Sequence, residues 1–562
     1  MTTFSERLQW AYEHHPDQVA ITMALAGKPD MPITYRDLLE GAWGYAATLE
    51  RRGVQPGEVI ILILQHSLEL VYAYWGAVLR GAIPSIMPFL TEKLLPERYR
   101  ADLASLVSIT RPEAILTYRE FEPEVQAALA GGSSVREVII TDEVDPPAAP
   151  DFSNAGGLQR KPEDIVLLQH SSGTTGLQKG VALSHRAVFN QLNNYSSALN
   201  RSAEDVIVSW LPLYHDMGLI AGFLMPVLSG NHLVLLSPFE WVRAPHRLMQ
   251  AVTRYRGTLT WLPNFAYNFC ARKIRARDLE GVDLSSLRMI SNCSEPMRWE
   301  SHQAFYERFA PYGLKDSALG TCYAMAENVF AVTQGGVDKP PAVDEIDREA
   351  MQVQRLALPA QPERPSIKML SGGRPIPNVQ VRVLDEHGRE LPERTIGELA
   401  LRSDCMLSGY YHRPDATKKA FCDGWYLTGD YGYMLDGEVY IAGRKKDMII
   451  VGGKNIYPMD LEELAMEVPG VHPGRVVAFG IFNEEMGTED VVLIAETNSD
   501  DPCERDQIAD AIREKITRGS AVALRYVHIV DRKWLIKTSS GKIARGANRE
   551  KFLKELEAQQ GG

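Results

Sequence analysis

The chain has few cysteines and lacks long apolar runs, and both absences narrow its class. Its six cysteines, at positions 270, 293, 322, 405, 422 and 503, form no CxxC pair and no metal-ligand spacing, so they predict free thiols in a reducing compartment. No apolar stretch approaches the ~18 residues of a transmembrane helix. The first residues also lack the apolar region of a signal peptide. We therefore expect a cytoplasmic protein without membrane insertion.

Basic residues are also in the minority. The sequence has 60 Lys and Arg against 72 Asp and Glu, a net charge of −12, which argues against a nucleic-acid-binding protein in general. Its 562 residues exceed the ~250–300 at which a single hydrophobic core stops growing, so we expect more than one domain. A composition of 45% hydrophobic and 23% charged residues is ordinary for a globular protein.

Strand-like and helix-like segments alternate over much of the chain, which predicts an α/β fold with parallel sheet and helices on both faces. The predicted helices cover 1–16, 36–52 and Leu68–Arg80. The predicted strands are Val19–Met23, Glu58–Leu64, Ala114–Thr117, Glu137–Thr141, Ile165–Leu168, Val206–Leu211, His232–Leu236, Leu259–Leu262 and Met289–Ser291. The stretch Asp145–Lys161, rich in Pro, Ala and Gly, is predicted to be a surface loop.

The pattern of predicted secondary structure changes twice in the second half of the chain. From about Arg374, short strands and turns predict a small β-rich subdomain. A charged run at Arg444–Asp447 precedes a further alternation of strands and helices. We therefore predict a large N-terminal domain at 1–445, a hinge at Lys446 and a small mobile α+β C-terminal domain at 446–562.

The segment Gln169–Gly180 reads QHSSGTTGLQKG and follows a buried-strand pattern. Its glycines permit close approach of backbone N–H groups, its hydroxyls add donors, and Lys179 adds positive charge, so the loop suits nucleotide phosphates. It is not a Walker loop, because Gln178 precedes the lysine and Gly180 follows it. Taken alone, the segment is equally consistent with an ordinary surface loop.

Four further stretches occur in a fixed order with this loop: Trp210–Leu219, Tyr323–Glu327, Tyr426–Asp430 together with Gly443–Asp447, and Lys537–Lys542. This set resembles the adenylate-forming superfamily of acyl-CoA synthetases, luciferases and peptide-synthetase adenylation domains over nearly the whole chain. Within the superfamily the chain is most similar to the fatty acyl-AMP ligases. The similarity rests on SWLPLYHDMGLI, on NxYPxDxE at Asn455–Glu462, on TSSGKIAR, and on an added segment at 344–366 where those ligases carry an insertion.

The resemblance implies ATP and Mg²⁺ as cofactors and an acyl-adenylate intermediate. It assigns catalytic roles to Lys542, which would stabilise transition-state charge, to Glu327, which would bind Mg²⁺, and to His215, which would separate substrate from nucleotide. Lys446 would be the hinge about which Lys542 moves in and out. The implied nucleotide-binding residues are Ser171, Ser172, Gly173, Thr174, Thr175, Gly176 and Lys179 at the phosphates, Ser294, Glu295, Pro296, Tyr323, Ala324, Met325 and Ala326 around the base and phosphate, and Asp430 and Arg444 at the ribose.

An acyl pocket is predicted from apolar residues near these motifs. Its candidate walls are Trp210, Met217, Phe223, Met225, Trp261, Phe265, Tyr267 and Cys293. Aromatic and methionine side chains at such positions also pack cores, so that alternative stays open. Cys293 stands where relatives often have glycine, and its bulk would narrow the channel.

Four functions are compatible with these motifs. The first is transfer of a fatty acyl group from the adenylate to the phosphopantetheine thiol of an acyl carrier protein, and the segment at 344–366 favours it because the resembled ligases use that insertion to restrain the C-terminal domain and disfavour free CoA. The second is transfer to CoA. The third is activation of an aryl acid or an amino acid, whose ammonium Asp216 would pair. The fourth is an inactive binding module, which the presence of Lys542, Glu327 and Asp430 argues against.

Overall fold

The computed structural model describes residues 2–90, 96–170, 179–451, 454–484, 486, 488–520, 522–538 and 541–560. Its α-helices are α1 Phe4–His14, α2 Tyr35–Arg51, α3 Leu68–Arg80, α4 Pro96–Thr110, α5 Glu122–Leu129, α6 His185–Ala198, α7 Met225–Ser229, α8 Pro238–Arg243, α9 His246–Tyr255, α10 Asn264–Lys273, α11 Trp299–Phe309, α12 Pro414–Ala420, α13 Pro458–Met466, α14 Pro502–Ser520 and α15 Arg545–Gln560. Short π-helical segments cover Met217–Leu224 and Ala350–Gln354.

The strands in the first part of the chain are β1 Val19–Ala24, β2 Met31–Thr34, β3 Val59–Leu62, β4 Ile83–Ile86, β5 Ala114–Thr117, β6 Glu137–Ile140, β7 Ile165–His170, β8 Gly180–Ser184, β9 Val206–Ser209, β10 His232–Leu236, β11 Leu259–Pro263, β12 Met289–Cys293, β13 Leu319–Cys322 and β14 Thr333–Gln334. Those that follow are β15 Val343–Asp347, β16 Ser366–Leu370, β17 Arg374–Pro375, β18 Val379–Leu384, β19 Gly397–Ser403, β20 Gly409–Tyr410, β21 Phe421–Cys422, β22 Trp425–Leu435, β23 Glu438–Arg444, β24 Ile449–Val451, β25 Lys454–Ile456, β26 Val471–Asn483, β27 Thr488–Thr497 and β28 Tyr526–Val530.

Two sheets with parallel pairing form the centre of the large N-terminal domain, as the alternating pattern predicts. One has the order β13-β12-β11-β9-β10-β1-β2 and is parallel except at its edge strand β2. The other, β4-β3-β5-β6, is parallel throughout. Capping boxes at Thr3 with Glu6 and at Thr34 with Asp37 begin α1 and α2, and Gly81 at φ 80° ends α3.

The prediction that strand Ile165–Leu168 continues the parallel sheet is wrong. β7 pairs antiparallel with β8 in a separate sheet of order β20-β8-β7. Residues 171–179 separate β7 from β8, and they are too few for the crossover of a dozen or more residues that parallel pairing needs.

The segment Asp145–Lys161 is also more than the predicted surface loop. Gly156 and Gly157 are buried against the C-terminal end of α3. A Cβ atom at Gly157 would lie 2.2 Å from Ser5 Oγ and 2.3 Å from the carbonyl oxygen of Val78, so only glycine allows this approach.

The β-rich subdomain predicted from Arg374 is an antiparallel sheet of order β18-β19-β22-β21, with β23 paired to β22. A smaller α+β domain follows, in which β26-β27-β28 and helices α13 and α14 enclose a separate core that includes Leu461, Leu493 and Ile512. A single turn at Lys445–Asp447 lies between the two units, at the position of the predicted hinge. We call the smaller domain the lid.

Candidate active site

The candidate site lies at the carboxyl edge of the seven-stranded sheet, where ligands bind in open α/β sheets. Strands β12 and β13 are parallel neighbours with Cys293 opposite Cys322. Ser294 and Tyr323, the next residues of each strand, therefore leave the sheet side by side. Two of the predicted nucleotide-binding segments thus meet at this edge.

Tyr323, Asp430 and Arg444 form one hydrogen-bonded group. The Tyr323 hydroxyl donates to Asp430 Oδ2 at 2.7 Å, and Arg444 Nε lies 3.1 Å from Asp430 Oδ1. Burial and then the Asp430 carboxylate raise the pKa of Tyr323. The Asp430 carboxylate likewise raises the pKa of Arg444. The predicted base-stacking and ribose-binding residues are therefore in direct contact.

Glu327, the predicted Mg²⁺ ligand, is bound by Tyr410, which in turn contacts Tyr426; the sequence predicts a site role for neither tyrosine. The Tyr410 hydroxyl donates to Glu327 Oε1 at 2.9 Å and lies 3.0 Å from the Tyr426 hydroxyl. Lys179 Nζ lies 4.5 Å from the centre of the Tyr410 ring, a cation–π distance. Tyr410 therefore connects Lys179, the lysine of the predicted phosphate-binding loop, to the candidate metal ligand Glu327.

The pairing of β20 with β8 explains why the local sequence does not indicate a site role for Tyr410. In that pairing Tyr410 lies opposite Val181, two residues after Lys179. The contact depends on a strand pairing across more than two hundred positions, and no local pattern around Tyr410 indicates it.

The backbone immediately after Glu327 is strained. Val329 has φ 63° and ψ −53°, and Phe330 N donates to the carbonyl oxygen of Asn328 at 2.7 Å, which defines a γ-turn centred on a β-branched residue. Such conformations cost about 1–3 kcal/mol and concentrate at functional sites. The turn is fixed by the fully buried Val329 side chain and by Asn328 Nδ2, which donates to the carbonyl oxygen of Ala331 at 2.7 Å.

The predicted base-binding turn at Ala324–Ala326 lies beside this γ-turn. Ala324 forms a β-bridge with Ala331, Met325 N donates to the carbonyl oxygen of Phe330 at 2.9 Å, and Val329 N donates to that of Ala326. These contacts fix the main chain of Ala324, Met325 and Ala326, which directly follow Tyr323.

Lys542 reaches the site from the lid. Its Nζ donates to the carbonyl oxygen of Ser294 at 2.5 Å. Ser294 adopts a left-handed φ of 68°, which a serine rarely does. The side chain of Glu295 points elsewhere, because its Oε2 accepts a hydrogen bond from Phe265 N in the first turn of α10 at 2.9 Å. Pro296 is exposed.

His215 and Asp216 lie near the Lys542 ammonium. Burial, and then Lys542, lower the pKa of His215 to about 3, and His215 Nε2 has no hydrogen-bond partner among the described residues. Burial raises the pKa of Asp216 although Lys542 opposes the shift, and Asp216 Oδ1 accepts a hydrogen bond from Met217 N at 2.8 Å. His215 is therefore neutral and half-buried beside Lys542.

The candidate acyl-pocket residues divide into three positions. Met217 and Cys293 contact the Ser294 hydroxyl through their sulfur atoms. Trp210 stacks on Trp241 with ring centres 3.5 Å apart, and Phe265, 40% exposed, lies edge-on to Trp210.

The remaining pocket candidates lie deeper. Trp261 Nε1 donates to the Tyr195 hydroxyl at 2.8 Å, and the Tyr267 hydroxyl donates to the carbonyl oxygen of Ile290. Phe223 packs against Trp75 of α3, and Met225 is fully buried in the same core. The structure thus places Met217 and Cys293 at the site and Phe223 and Met225 in the core behind it.

Some predicted residues cannot be placed. Ser171, Ser172, Gly173, Thr174, Thr175 and Gly176 lie outside the described residues. Within the described part of the chain no group of three or more His, Cys, Asp and Glu side chains could hold a metal ion. The single carboxylate of Glu327 is compatible with Mg²⁺, because Mg²⁺ is often bound by one or two carboxylates together with substrate phosphates. All six cysteines are free, as predicted.

Comparisons with known proteins identify the family. The model of the family "AMP-binding enzyme" matches residues 8–411. The chain is 28% identical to the medium-chain-fatty-acid–[acyl-carrier-protein] ligase JamA of Moorena producens, over 98% of this chain and 95% of that protein. It is 30% identical to the 4-hydroxyphenylalkanoate adenylyltransferase of Mycobacterium marinum, over 88% and 82%.

Solved structures of adenylate-forming ligases share the fold of this chain. A structure from a study of fatty acyl-adenylate ligases from E. coli and L. pneumophila superposes with a TM-score of 0.90 at 27% identity, covering 100% of this chain and 98% of that one. The L. pneumophila fatty acyl-adenylate ligase in complex with acyl adenylate and pyrophosphate gives 0.73 at 28% identity, covering 98% and 96%. None of the helices in the described ranges has the length and apolarity to cross a membrane. The chain belongs to the AMP-binding enzyme family, as its motifs predict, and it is an adenylate-forming ligase.

Proposed function

We propose that this ligase activates a fatty acid with ATP and then passes the acyl group to the phosphopantetheine thiol of an acyl carrier protein. The observation that carries the first step is the 2.5 Å hydrogen bond from Lys542 Nζ to the carbonyl oxygen of Ser294. This bond brings a lid cation to the edge of the sheet where the predicted nucleotide-binding residues Ser294 and Tyr323 lie. The names of relatives, fatty acyl-adenylate ligases and JamA among them, support the substrate class.

The chemistry of this step explains why cations converge. An oxygen of the fatty acid carboxylate attacks the α-phosphorus of ATP, the bond to the β-phosphate oxygen breaks, and pyrophosphate leaves. Because both reactants are anions, alignment and charge neutralisation lower most of the barrier. Lys542, beside Ser294, and Lys179, beside Tyr410, would supply positive charge. Mg²⁺ held by Glu327 and the phosphates would supply more.

The second step has the carrier's thiol attack the acyl carbonyl, so that a thioester forms and AMP leaves. Lys542 has to leave the site for the thiol to enter, which requires the lid to move. Hydrogen bonds between the segment 344–366 and the lid support a carrier protein over free CoA as the acyl acceptor, because they restrain the lid. Arg348 Nη1 donates to the carbonyl oxygen of Gly519 at 2.9 Å, and Asn455 Nδ2 donates to that of Gln352 at 3.1 Å. Arg355 Nη2 also donates to Asn455 Oδ1 at 3.2 Å.

Apolar contacts between the segment 344–366 and the lid add to these hydrogen bonds. Met351 of the segment shares a buried cluster with Tyr457 at the start of α13 and with Tyr433 and Tyr440 of the β-rich sheet, whose rings stack 4.8 Å apart. These contacts oppose rotation of the lid. Free CoA would need that rotation without the help of a docked carrier protein, so restraint of the lid disfavours CoA as the acceptor.

An amino acid substrate is less well supported than a fatty acid. Asp216, which an amino acid's ammonium would pair with, already has Lys542 as a neighbouring cation and a hydrogen bond from Met217 N. The sulfur atoms of Met217 and Cys293 beside Ser294 suit an apolar chain. An aryl acid stays an alternative, because 4-hydroxyphenylalkanoate adenylyltransferases are among the relatives.

The test is mass spectrometry of products from a mixed library of fatty, aryl and amino acids with ATP and Mg²⁺. One arm has no thiol, one has CoA and one has a phosphopantetheinylated carrier protein. The proposal expects fatty acyl-adenylates that persist with CoA and disappear when the carrier is added. Abundant acyl-CoA would establish the CoA ligase instead, and adenylates of aryl or amino acids alone would overturn the substrate class.

A further inference from the structure

Arg298 bridges the N-terminal domain to the lid four residues after Ser294. Its Nη2 lies 3.3 Å from Asp460 Oδ1 and its Nη1 lies 3.0 Å from Glu463 Oε2, both on α13. The side chains of the arginine and the aspartate are only 17% and 7% exposed. Burial disfavours the charge of Arg298, but the Glu463 and Asp460 carboxylates outweigh it and raise the pKa of Arg298.

The main chain of Arg298 is anchored within its own domain. Its N–H donates to Asn264 Oδ1 at 3.1 Å, and the residue forms a β-bridge with Met369 of β16. Asn264 Oδ1 also accepts a hydrogen bond from Asn292 Nδ2 at 2.9 Å, on the strand that leads into Ser294. The guanidinium of Arg298 therefore extends from a main chain that is held in place within the N-terminal domain.

On the lid side, the same helix holds the segment that carries Lys542. Arg545, three residues after Lys542, donates from Nη2 to Glu462 Oε1 at 2.6 Å and from Nε to the carbonyl oxygen of Ala478 at 2.9 Å. Glu462 lies between Asp460 and Glu463 on α13. The lysine and the two carboxylates that Arg298 binds thus belong to one connected unit.

We infer that Arg298 is a positioning residue for adenylate formation: by holding α13 through Asp460 and Glu463, it fixes Lys542 against Ser294. The contacts form a closed circuit from Arg298 to α13, through Glu462 and Arg545 to Lys542, and back through Ser294 to Arg298. Lid rotation that withdraws Lys542 carries α13 away with it. The ion pairs with Arg298 therefore stabilise the lid position for the first step and are released for the second.

This inference deepens the proposed two-step reaction and rests on it, and it predicts that the two half-reactions respond differently. In Arg298→Met the packing of the long side chain is largely kept, but α13 loses its charged partner. Lys542 is then poorly placed, and we expect adenylate formation to slow by up to about a hundredfold, as a misplaced group does. Transfer from supplied acyl-adenylate to the carrier thiol needs the other lid position, so we expect it to stay within about twofold of the unchanged enzyme or to rise.

The experiment measures pyrophosphate release and, separately, thioester formation from synthetic acyl-adenylate. Arg308→Met is the matched control, because Arg308 lies on α11 and donates to the carbonyl oxygen of Ile274 within the same domain. Arg298→Lys is expected to restore part of the first step. Glu463→Gln, made on the lid side at a half-exposed position, is expected to reproduce a weaker form of the Arg298→Met effect.

Hydrogen exchange of α13 supplies a readout that needs no substrate. We expect residues 458–466 to exchange faster in Arg298→Met than in Arg308→Met. Equal losses in both half-reactions, or unchanged rates and exchange, would overturn the inference. If the unchanged enzyme forms no adenylate from any acid, the proposed function fails, whereas unchanged exchange of α13 in Arg298→Met would overturn the structural part of the inference, that Arg298 holds the lid.

Discussion

The ammonium of Lys542 donates to the carbonyl oxygen of Ser294 at 2.5 Å, across 248 positions of the chain. This carbonyl belongs to a residue with φ 68°, so the acceptor is presented by an unusual backbone turn at the end of β12. The bond joins the lid to the predicted nucleotide-binding edge of the sheet, and we expect adenylate formation to depend on Lys542.

Replacing Lys542 by alanine is expected to slow adenylate formation by about 10²–10³-fold, the usual effect of removing one group that stabilises transition-state charge. Pyrophosphate release measures the loss. Lys551→Ala is the control, because Lys551 is a lid lysine whose Nζ donates to the carbonyl oxygen of Trp534 at 2.9 Å. Adenylate formation at an unchanged rate in Lys542→Ala would contradict the assignment.

Tyr410→Phe tests the support of Glu327. Deleting the hydroxyl removes its 2.9 Å hydrogen bond to Glu327 Oε1 but keeps the ring under Lys179. Because groups that orient a metal ligand affect metal affinity, we expect the Mg²⁺ concentration for half-maximal rate to rise about tenfold or more. Tyr99→Phe, which removes a hydroxyl donating to the carbonyl oxygen of Pro88, is the control. An equal Mg²⁺ dependence in both variants would exclude the role.

Tyr323→Phe separates base stacking from support of the ribose-binding carboxylate. The ring stays, but Asp430 loses the 2.7 Å hydrogen bond while it keeps its ion pair with Arg444. A hydrogen bond to a charged group contributes about 1.5 kcal/mol or more, so the KM for ATP should rise about tenfold. Initial rates over a range of ATP concentrations measure it, with kcat nearly unchanged. A fall in kcat at constant KM would place Tyr323 at the reacting phosphates instead.

The arginines of segment 344–366 offer a test of thiol choice. Arg348→Ala combined with Arg355→Ala removes two donors that hold the lid, so we expect acyl-CoA to accumulate where the unchanged enzyme leaves acyl-adenylate. Mass spectrometry with CoA as the only thiol detects it. Arg364→Ala, which removes an exposed arginine paired with Asp347 inside the segment, is the control. If the double variant forms no acyl-CoA, the contacts of Arg348 and Arg355 with the lid do not determine the choice between CoA and the carrier thiol.

The sequence predicted local features well and long-range ones poorly. Helix Leu68–Arg80 and strand Ala114–Thr117 match the structure residue for residue, because apolar periodicity and the Gly81 terminator are local signals. The antiparallel pairing of β7 was missed, since strand direction depends on the partner strand. Tyr410 and Arg298 were missed for a related reason. Each acts through a partner far along the chain, and neither lies in a motif whose spacing reveals that partner.

Buried histidines predict how stability depends on pH. Burial lowers the pKa of His302 to about 3 and that of His170 to about 4, against about 6.5 in the unfolded chain. Between these values the unfolded state binds protons that the folded state does not, so stability rises with pH there. The contribution is fully present above about pH 6.5 and is lost as the pH falls to about 4 for His170 and about 3 for His302, at up to ~1.4 kcal/mol per pH unit for each histidine.

His302→Phe isolates one of these groups. His302 stacks on Tyr267 with ring centres 4.9 Å apart, an arrangement that a phenyl ring can keep. Acid also protonates carboxylates, so every variant should melt at a lower temperature at pH 5 than at pH 7. The decrease should be smaller in His302→Phe than in the unchanged protein, whereas His387→Phe, at an exposed turn, should follow the unchanged protein. If all three melting curves shift equally with pH, the imidazole of His302 is not excluded from protonation by burial, and the acid sensitivity arises from other groups.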